Sequence, residues 1–166
     1  MDTPPFSELG LPDTLLAAIE TLGYERPSPI QAMSIPPALL GKDLVGLSAT
    51  GSGKTAAFTL PALSKLNVKE LYPQVLILCP TRELAVQVHA DAVLLGKHLP
   101  FKLGLAFGGT DYDQQRDVLT AGVDVLIGTP GRIIDFYKQR VFGLRGIQVL
   151  ILDEADRMFD LGFIKD

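Results

Sequence analysis

Short apolar runs alternate with amphipathic stretches along most of this 166-residue chain. Continuous runs such as 75–78 and 125–127 suit parallel strands that helices cover on both faces, and the stretches between them carry apolar residues at helical spacing. The pattern predicts strands at 43–48, 74–79, 102–107, 123–128 and 148–152, and helices at 54–66, 82–96, 112–121, 131–139 and from near Asp156. We therefore expect an α/β fold, a parallel sheet with helices on both faces.

The amino-terminal quarter of the chain shows helical spacing without strand-like runs. Residues 1–11 are expected to be irregular, and 12–23 predict a first helix with glycine at its end. Ser28 opens a second helix as a hydroxyl cap with proline in the first turn. Because proline cannot lie deep inside a helix, residues 36–37 predict a break, with Ser34 capping a new short helix.

Length, charge and cysteine content narrow the classes of protein to consider. A chain of this size forms one domain, and its formal net charge of −4 argues against a broad basic surface, so nucleic-acid binding must be local. The single cysteine, Cys79, excludes an intrachain disulfide framework. We expect a cytoplasmic protein, because there is no apolar run of about 18 residues and no basic-then-apolar leader. His89 and His98 lack metal-ligand spacing.

A glycine-rich loop, Gly51-Ser52-Gly53-Lys54-Thr55, follows a predicted strand and opens a predicted helix. Glycines let backbone N–H groups close around phosphate oxygens, and a helix N-terminus favours an anion. The pattern places Lys54 on the β- and γ-phosphates and the Thr55 hydroxyl on magnesium. The full phosphate-binding set is Ala49, Thr50, Gly51, Ser52, Gly53, Lys54, Thr55 and Ala56. Ser48 stands where the general motif has glycine, and a tight strand-to-helix turn is the plainer alternative.

Three carboxylates follow the last predicted strand, at Asp153, Glu154 and Asp156. Asp153 is placed to hold magnesium, largely through water, and Glu154 to orient or deprotonate an attacking water. Phosphoryl transfer needs positioning and charge neutralisation more than covalent help from the protein. An acidic helix start, which the helix dipole favours, is the structural alternative. Lys54, Asp153 and Glu154 are therefore the candidate catalytic residues for hydrolysis of a nucleoside triphosphate.

The Asp-Glu-Ala-Asp segment, together with the phosphate loop, resembles the DEAD-box family of ATP-dependent RNA helicases. Phe6 and the segment 23–31, Gly-Tyr-Glu-Arg-Pro-Ser-Pro-Ile-Gln, resemble the family's adenine-reading motif. The resemblance implies that Phe6, Arg26 and Gln31 bind the nucleotide, with Phe6 stacking on the base and Gln31 pairing with the adenine edge. A glutamine on a helix surface is the alternative for Gln31. The resemblance also implies ATP and Mg²⁺ as cofactors, a RecA-like P-loop fold and a role for Asp156 in interdomain coupling.

Three further segments resemble family motifs that contact the sugar-phosphate backbone of one RNA strand. They are Pro80-Thr81-Arg82, Gly108-Gly109 and Thr129-Pro130-Gly131-Arg132. Thr81 and Thr129 each resemble a helix cap followed by an arginine, and bare glycines let a phosphate approach the main chain. A capped connection between strand and helix is the alternative for each segment. The resemblance implies RNA as a partner of these loops.

A closer likeness is to bacterial helicases of the RNA degradosome, carried by residues 89–92, 102–106, 122–128 and 156–166. This likeness implies a role in RNA degradation and an endoribonuclease scaffold as a protein partner. A non-catalytic nucleotide-binding or interaction fragment is the alternative function. A P-loop small-molecule kinase is a third hypothesis, but it leaves Gln31 unexplained.

The resemblance also implies two features of a whole helicase that these residues do not show. One is a later strand with Ser-Ala-Thr, since the Ser-Ala-Thr at 48–50 lies inside the phosphate loop. The other is a second RecA-like domain. We therefore expect 1–166 to be an incomplete N-terminal RecA-like domain, truncated after the Asp-Glu-Ala-Asp strand, with 1–41 as its adenine-reading segment and 42–166 as its P-loop core. The missing strand predicts a sheet with a gap, a changed order or a borrowed strand, and a fragment that binds nucleotide without unwinding RNA.

Overall fold

The computed structural model describes residues 3–163, and within that range it contains four strands and eight helices. The strands are β1 (Val75–Leu78), β2 (Leu103–Ala106), β3 (Val125–Gly128) and β4 (Val149–Leu152). The helices are a short 3₁₀-helix (Phe6–Glu8), α1 (Asp13–Thr21), α2 (Pro29–Leu39), α3 (Lys54–Ser64), α4 (Arg82–Leu95), α5 (Tyr112–Ala121), α6 (Pro130–Lys138) and α7 (Ala155–Asp160). Outside the described range lie residues 1–2 and 164–166. They include both ends of the predicted domain 1–166 and the last three residues of the segment 156–166.

The described residues divide into two compact units. The first unit comprises 3–65 and 91–100, and it holds α1, α2, the phosphate loop and α3. The second unit comprises 66–90 and 101–163, and it holds all four strands with α5, α6 and α7. The predicted division at residues 41 and 42 stays a prediction. The longest described helix, α4, has 14 residues, and no described helix combines the length and hydrophobicity of a membrane span.

The sheet of the second unit is fully parallel, with the strand order β2-β3-β1-β4. Val75 of β1 lies opposite Val125 of β3 on one side and Val149 of β4 on the other. The connections between successive strands contain helices. Parallel strands need such a crossover connection, because a tight turn can join only antiparallel strands. The four predicted strands from 74 onward are confirmed, each one or two residues shorter at its ends. The α/β fold with a parallel sheet and helices is confirmed as well.

The core of the second unit lies where α5 and α6 pack on the sheet. Its buried residues are Leu76, Ala106, Leu119, Val123, Leu126, Ile133, Phe136 and Phe142. Leu126 is completely buried in the middle of β3, and Phe136 fills the space on the helix side. This apolar contact positions α6, and with it the loop that leads from β3 into α6.

The predicted strand at 43–48 is wrong, because residues 42–49 form neither strand nor helix. Leu44, Val45 and Leu47 keep 48%, 91% and 88% of their side-chain surface exposed. An apolar run becomes a strand only when a neighbouring strand supplies partners for its backbone N–H and C=O groups. No described strand pairs with 43–48, whereas β2, β3, β1 and β4 pair with one another without a gap. The predicted gap is therefore absent from the described sheet, and a changed order or a borrowed strand stays a prediction.

The predicted break in the second helix is also wrong. The helix α2 runs without interruption from Pro29 to Leu39 and includes Pro36 and Pro37. Each proline removes one backbone donor, but α2 ends at Leu39, so little helix follows them. The next donors still bond, as from Leu40 N–H to the Pro36 carbonyl at 3.2 Å. Ser34 caps no new helix, since its hydroxyl donates back to the Ile30 carbonyl at 2.6 Å.

A buried polar cluster supports the amino end of the sheet in the second unit. The carboxylate of Asp124 accepts a hydrogen bond from the Lys102 N–H at 2.7 Å and a longer one from Gln74 Nε2 at 3.5 Å. Gln74 also donates to the Asn67 carbonyl at 2.9 Å and accepts from the Asn67 N–H at 2.7 Å. Gln74 and Asp124 are both buried, so the cluster fixes two connecting loops to β1 and β3 through satisfied polar groups.

We predict that Asp124→Ala lowers the free energy of unfolding by about 1–3 kcal/mol, because it leaves the Lys102 N–H without its acceptor. Urea denaturation of the wild type and the variant measures this difference. Asp117→Ala is the matched control, since Asp117 lies on the exposed surface of α5 and its loss should cost less than about 0.5 kcal/mol. Equal losses for the two variants would contradict the role given to the cluster.

Candidate functional site

The phosphate loop of the first unit is built on two glycines in the left-handed region. Gly51 has a φ of 79° and Gly53 a φ of 91°, and α3 begins immediately afterwards at Lys54. Residues with a β-carbon rarely adopt this conformation, so glycine is what allows the chain to turn into the helix here. An added β-carbon at Gly51 meets nothing within 4 Å, which leaves its backbone open to a ligand at the N-terminus of α3.

Serine at position 48 braces the loop in the absence of the usual glycine. Its backbone is not in the left-handed region, so a side chain fits. The Ser48 and Ser52 hydroxyls lie 2.6 Å apart, and Lys54 Nζ donates to the Ser48 carbonyl at 2.6 Å. The loop is therefore closed by its own residues, and a phosphate that binds Lys54 competes with the Ser48 carbonyl.

Gln31 joins the second helix to the phosphate loop. Its side chain is only 6% exposed, its Oε1 accepts from the Ser28 N–H at 2.9 Å, and its Nε2 donates to the Gly53 carbonyl at 3.1 Å. A β-carbon on Gly53 would collide with that Nε2. The structure therefore brings Gln31 and the phosphate loop together within the first unit, while the contact of Gln31 with adenine stays a prediction.

The other residues of the predicted adenine-reading motif lie together in the same unit. The Phe6 ring is buried and stacks on Tyr24, with ring centroids 6.3 Å apart. Arg26 donates to the Thr3 carbonyl at 2.7 Å, and the Thr3 hydroxyl donates to the Pro27 carbonyl at 2.8 Å. These contacts pin the segment before the 3₁₀-helix to the segment before α2. Tyr24 was not among the predicted binding residues, although an aromatic inside the motif was the signal for it.

The acidic residues lie at the carboxyl end of β4 in the second unit. Asp153 is buried, and its N–H donates to the Leu78 carbonyl at 3.0 Å. Glu154 stands at the start of α7 with a left-handed φ of 51°, and its carboxylate lies 3.5 Å from Arg157. Asp156 is exposed on the first turn of α7. The chain therefore turns sharply between the buried carboxylate of Asp153 and the half-buried carboxylate of Glu154.

Cys79, the residue that follows β1, is completely buried. Burial, together with smaller contributions from the negative charges of Asp153 and Glu154, raises the pKa of its thiol to about 12. The thiol is therefore neutral at physiological pH. Cys79 has no role predicted from the sequence, and in the structure it is a buried thiol whose pKa the two carboxylates help to raise.

The helix caps predicted at the ends of β1 and β3 differ in outcome. The Thr81 hydroxyl accepts a hydrogen bond from the Leu84 N–H at 3.3 Å, as a cap does. Thr129 holds the N-cap position of α6, but its side chain makes no capping bond, so that part of the prediction is wrong. Pro130, at the first helical position, has no backbone N–H, so α6 has one fewer unpaired donor at its N-terminus for a cap to bind.

The arginines of the predicted RNA-binding segments lie against aromatic rings in the second unit. Arg82 places its guanidinium 4.6 Å from the centroid of the Phe107 ring. Arg132 lies 4.9 Å from the Tyr112 ring centroid and 5.5 Å from that of Phe136. A guanidinium over an aromatic face is held by cation–π attraction and keeps its N–H edge for other partners.

Gly108 and Gly109 form an exposed loop between these arginines along the chain. Gly109 has a φ of 103°, and an added β-carbon at either glycine meets nothing within 4 Å. The side chain of Gln115 holds this loop, because its Oε1 accepts from the Phe107 N–H at 3.1 Å and its Nε2 donates to the Thr110 carbonyl at 3.3 Å. Phe107, Tyr112 and Gln115 were not predicted from the sequence, since nothing in their spacing distinguishes them from ordinary packing residues.

A parallel sheet whose strands end in glycine, threonine and carboxylate loops is typical of open α/β domains that bind ligands at the carboxyl ends of their strands. Residues 28–166 match the family model described as DEAD/DEAH box helicase. This chain belongs to the DEAD/DEAH box helicase family. A solved DEAD box protein from the hyperthermophile Methanococcus jannaschii is similar to it, with a TM-score of 0.92 and 38% identity over 97% of this chain and 44% of that one.

Curated relatives carry the description ATP-dependent RNA helicase RhlB. The relative from Pseudoalteromonas atlantica is 50% identical and covers 97% of this chain, which in turn spans 39% of the relative. The relative from Aeromonas hydrophila is 49% identical over 100% of this chain and 40% of its own length, and that from Xanthomonas axonopodis pv. citri is 48% identical over 97% and 30%. The chain thus spans less than half the length of these relatives. The predicted resemblance to DEAD-box helicases, and to the RhlB type among them, is confirmed.

We predict that Gly53→Ala displaces Gln31 from the phosphate loop, whereas Gly51→Ala does not. Both variants place a β-carbon at a left-handed φ, which costs about 1 kcal/mol each. Only the methyl group at 53 collides with Gln31, so Gly53→Ala should lose a further 1 kcal/mol or so with the broken hydrogen bond. Thermal denaturation compares the two losses, and the side-chain amide signal of Gln31 in NMR spectra should shift in Gly53→Ala alone. Equal losses and an unshifted amide would contradict the contact.

The buried thiol of Cys79 gives a pH-dependent prediction. The unfolded thiol loses its proton near the ordinary pKa of 9.0, whereas the folded thiol keeps it to about 12. The unfolded state therefore binds fewer protons in this window, and the free energy of unfolding should fall as the pH rises above about 9. Urea denaturation in metal-free buffer should show a smaller fall in Cys79→Ala. Identical pH profiles, or rapid labelling of the native thiol at pH 8, would show that Cys79 is neither buried nor neutral.

Proposed function

We propose that this chain is the N-terminal RecA-like domain of an ATP-dependent RNA helicase, in which ATP binding and hydrolysis are coupled to local unwinding of RNA duplexes. Membership of the DEAD/DEAH box family and the description of the curated relatives support the proposal. The observation that carries it is the hydrogen bond from Gln31 to the Gly53 carbonyl, because it joins the predicted base-reading residue directly to the predicted phosphate loop.

The first unit supplies the groups that recognise the nucleotide. Backbone N–H groups of 49–53 and the N-terminus of α3 bind the phosphates, and Lys54 leaves the Ser48 carbonyl for the β- and γ-phosphates. Gln31 exchanges at least one of its two internal hydrogen bonds for the adenine edge. Arg26 adds a cation to the same segment. Phe6 reaches the base only if its stack on Tyr24 opens, since its ring is otherwise buried.

The magnesium and the attacking water are assigned to residues that have the required oxygen chemistry. Thr55 offers a hydroxyl and Asp153 a carboxylate, and Mg²⁺ prefers oxygen ligands while keeping several of its waters. When bound, magnesium neutralises the phosphate oxygens. Glu154 orients and deprotonates the attacking water, and Lys54 stabilises the charge that develops on the transferred phosphoryl group. Asp156, exposed on α7, is free of these tasks and is assigned to coupling with the second RecA-like domain of the whole helicase.

The second unit supplies the groups that contact RNA. Thr81, Arg82, Gly108, Gly109, Thr129, Gly131 and Arg132 all follow the carboxyl ends of β1, β2 or β3, while Pro80 and Pro130 shape the backbone beside them. Exposed glycine backbone and arginine N–H groups favour phosphate oxygens without reading bases. We expect strong dependence of RNA binding on salt, since the contacts are to the backbone.

The biological setting is inferred from the likeness to degradosome helicases. We propose a role in RNA degradation or turnover in the cytoplasm, with an endoribonuclease scaffold as a protein partner. The 166 residues alone are expected to bind adenine nucleotide weakly and not to unwind RNA, because among the described residues no strand pairs with 43–48, the run that leads into the phosphate loop.

Substitution of Lys54 tests the nucleotide site. Lys54→Ala should weaken ATP binding by the 166-residue chain at least about tenfold, the effect of losing one hydrogen bond to a charged group. Titration with a fluorescent ATP analogue in the presence of Mg²⁺ measures the affinity. Lys42→Ala is the matched control, because Lys42 is an exposed lysine in the same unit, and it should bind as the wild type does. Unchanged affinity in Lys54→Ala would refute the phosphate site.

Substitution of Glu154 in the whole helicase separates catalysis from binding. Glu154→Gln should lower the rate of ATP hydrolysis by about 100-fold or more while ATP and RNA affinity stay near the wild-type values, because only the base function is removed. A non-catalytic nucleotide-binding protein would show no hydrolysis to lose. RNA-stimulated hydrolysis by the 166-residue chain at the rate of a whole helicase would contradict the incomplete-domain proposal.

A further inference from the structure

A network of side chains joins the loops that follow β1, β2 and β3 in the second unit. Arg82, after β1, lies over the ring of Phe107, which ends β2. The Phe107 N–H donates to Gln115 on α5 at 3.1 Å. Gln115 in turn accepts from Arg132 Nη1, after β3, at 2.9 Å. Three segments that resemble separate RNA-binding motifs are thus linked through two residues that belong to none of them.

Gln115 stands at the centre of this network. Its side chain is 8% exposed, and its carboxamide makes three hydrogen bonds. The Oε1 atom uses both lone pairs, one for the Phe107 N–H and one for Arg132, and Nε2 donates to the Thr110 carbonyl at 3.3 Å. Phe107 and Thr110 are the residues on either side of the glycine pair. One side chain therefore holds both ends of the glycine loop and one edge of an arginine.

Arg132 is held on its other surfaces by aromatic rings. Tyr112 and Phe136 contact its guanidinium plane, at 4.9 Å and 5.5 Å from the ring centroids. Gln115 takes one N–H of a planar group that carries about five donors. The rings and the carboxamide fix the orientation of the group while the remaining donors of the fork stay able to bind a phosphate.

We propose that Gln115 is a positioning residue for RNA binding, which holds the Gly108-Gly109 loop and Arg132 in one fixed arrangement for contact with the RNA backbone. The inference rests on the proposed function, because the loop and Arg132 are assigned there as RNA contacts. A preformed arrangement does not need to be ordered when RNA binds, so less conformational entropy is lost. Gln115 itself touches no RNA and acts only through its two neighbours.

The test is a double-substitution cycle on single-stranded RNA binding by the 166-residue chain. Gln115→Met keeps the length and most of the packing of the side chain but removes its hydrogen bonds. Gln115→Met, Arg132→Ala and the double variant are titrated against a fluorescein-labelled oligouridine of about 12 nucleotides, by fluorescence anisotropy at several salt concentrations. Gln114→Met is the matched control, since Gln114 is the exposed neighbour on the same helix.

The expected result is strong non-additivity. Gln115→Met and Arg132→Ala should each weaken RNA binding about tenfold, and the double variant should bind no more than about twofold more weakly than the weaker single variant. Gln115→Met should also lower the slope of log affinity against log salt by about 0.7, the value for one lost phosphate contact on a single strand, although glutamine carries no charge. A residue with a purely structural role does not change this slope. Gln114→Met should match the wild type.

Arg132→Lys covers the case in which Gln115→Met fails to fold. Lysine keeps the charge but lacks the planar fork that Gln115 and the two rings hold, so RNA binding should fall about as far as in Arg132→Ala. Binding by Arg132→Lys near the wild-type value would overturn the inference, as would additive losses in the cycle or an unchanged salt slope in Gln115→Met. If the wild-type chain itself does not bind the oligouridine, the RNA-binding part of the proposed function fails, and the inference fails with it.

Discussion

Backbone hydrogen bonding between parallel strands is the constraint on which the candidate site of the second unit depends. Each strand is only four residues long, but the ladder continues for one residue into the loop that follows. Cys79 N–H bonds to the Gly128 carbonyl at 2.9 Å, Thr129 N–H to that of Ala106 at 3.0 Å, and Asp153 N–H to that of Leu78 at 3.0 Å. The residue at which each of three loops leaves its strand is therefore fixed by the sheet itself, and each loop departs from a known point at the same edge. Loops that begin from the ladder need few further contacts to become rigid.

Buried glutamines supply those further contacts in both units. Gln31 ties the phosphate loop to α2, and Gln115 ties the glycine loop to α5 and α6. Gln74 does the same for a connection at the opposite end of the sheet. A carboxamide can donate and accept at once without carrying charge, so it satisfies backbone groups of both kinds in a buried place, where a lysine or a carboxylate would need a counter-ion. Three buried glutamines thus hold connecting loops of this chain, and two of those loops are assigned to ligand binding above.

The sequence allowed the motifs and most elements to be predicted, because both depend on local patterns. The apolar runs of β1 and β3 and the glycine loop before α3 are local signals, and the structure has them in place. The failure at 43–48 has a non-local cause, since that run resembles a strand in every respect except the presence of a neighbour. The continuous α2 shows that prolines are tolerated near a helix end. Gln115 was missed because its partners are 8 and 17 residues away along the chain, and no spacing rule links them.

The turn after β4 places Glu154 in a left-handed conformation, which is unfavourable for a residue with a β-carbon. Glycine would adopt its φ of 51° without strain, whereas a residue with a β-carbon costs about 1–2 kcal/mol there. The conformation persists because Asp153 on one side is held in the ladder, and on the other side the Met158 N–H bonds to the Glu154 carbonyl at 3.2 Å to begin α7. The same strain occurs at Asp111, which begins α5 just after the glycine loop. Arg140, after α6, has a left-handed φ of 59° as well, so the conformation by itself does not mark a carboxylate. At Glu154 it coincides with the carboxylate assigned to the attacking water, at a position where glycine would form the turn at a lower cost.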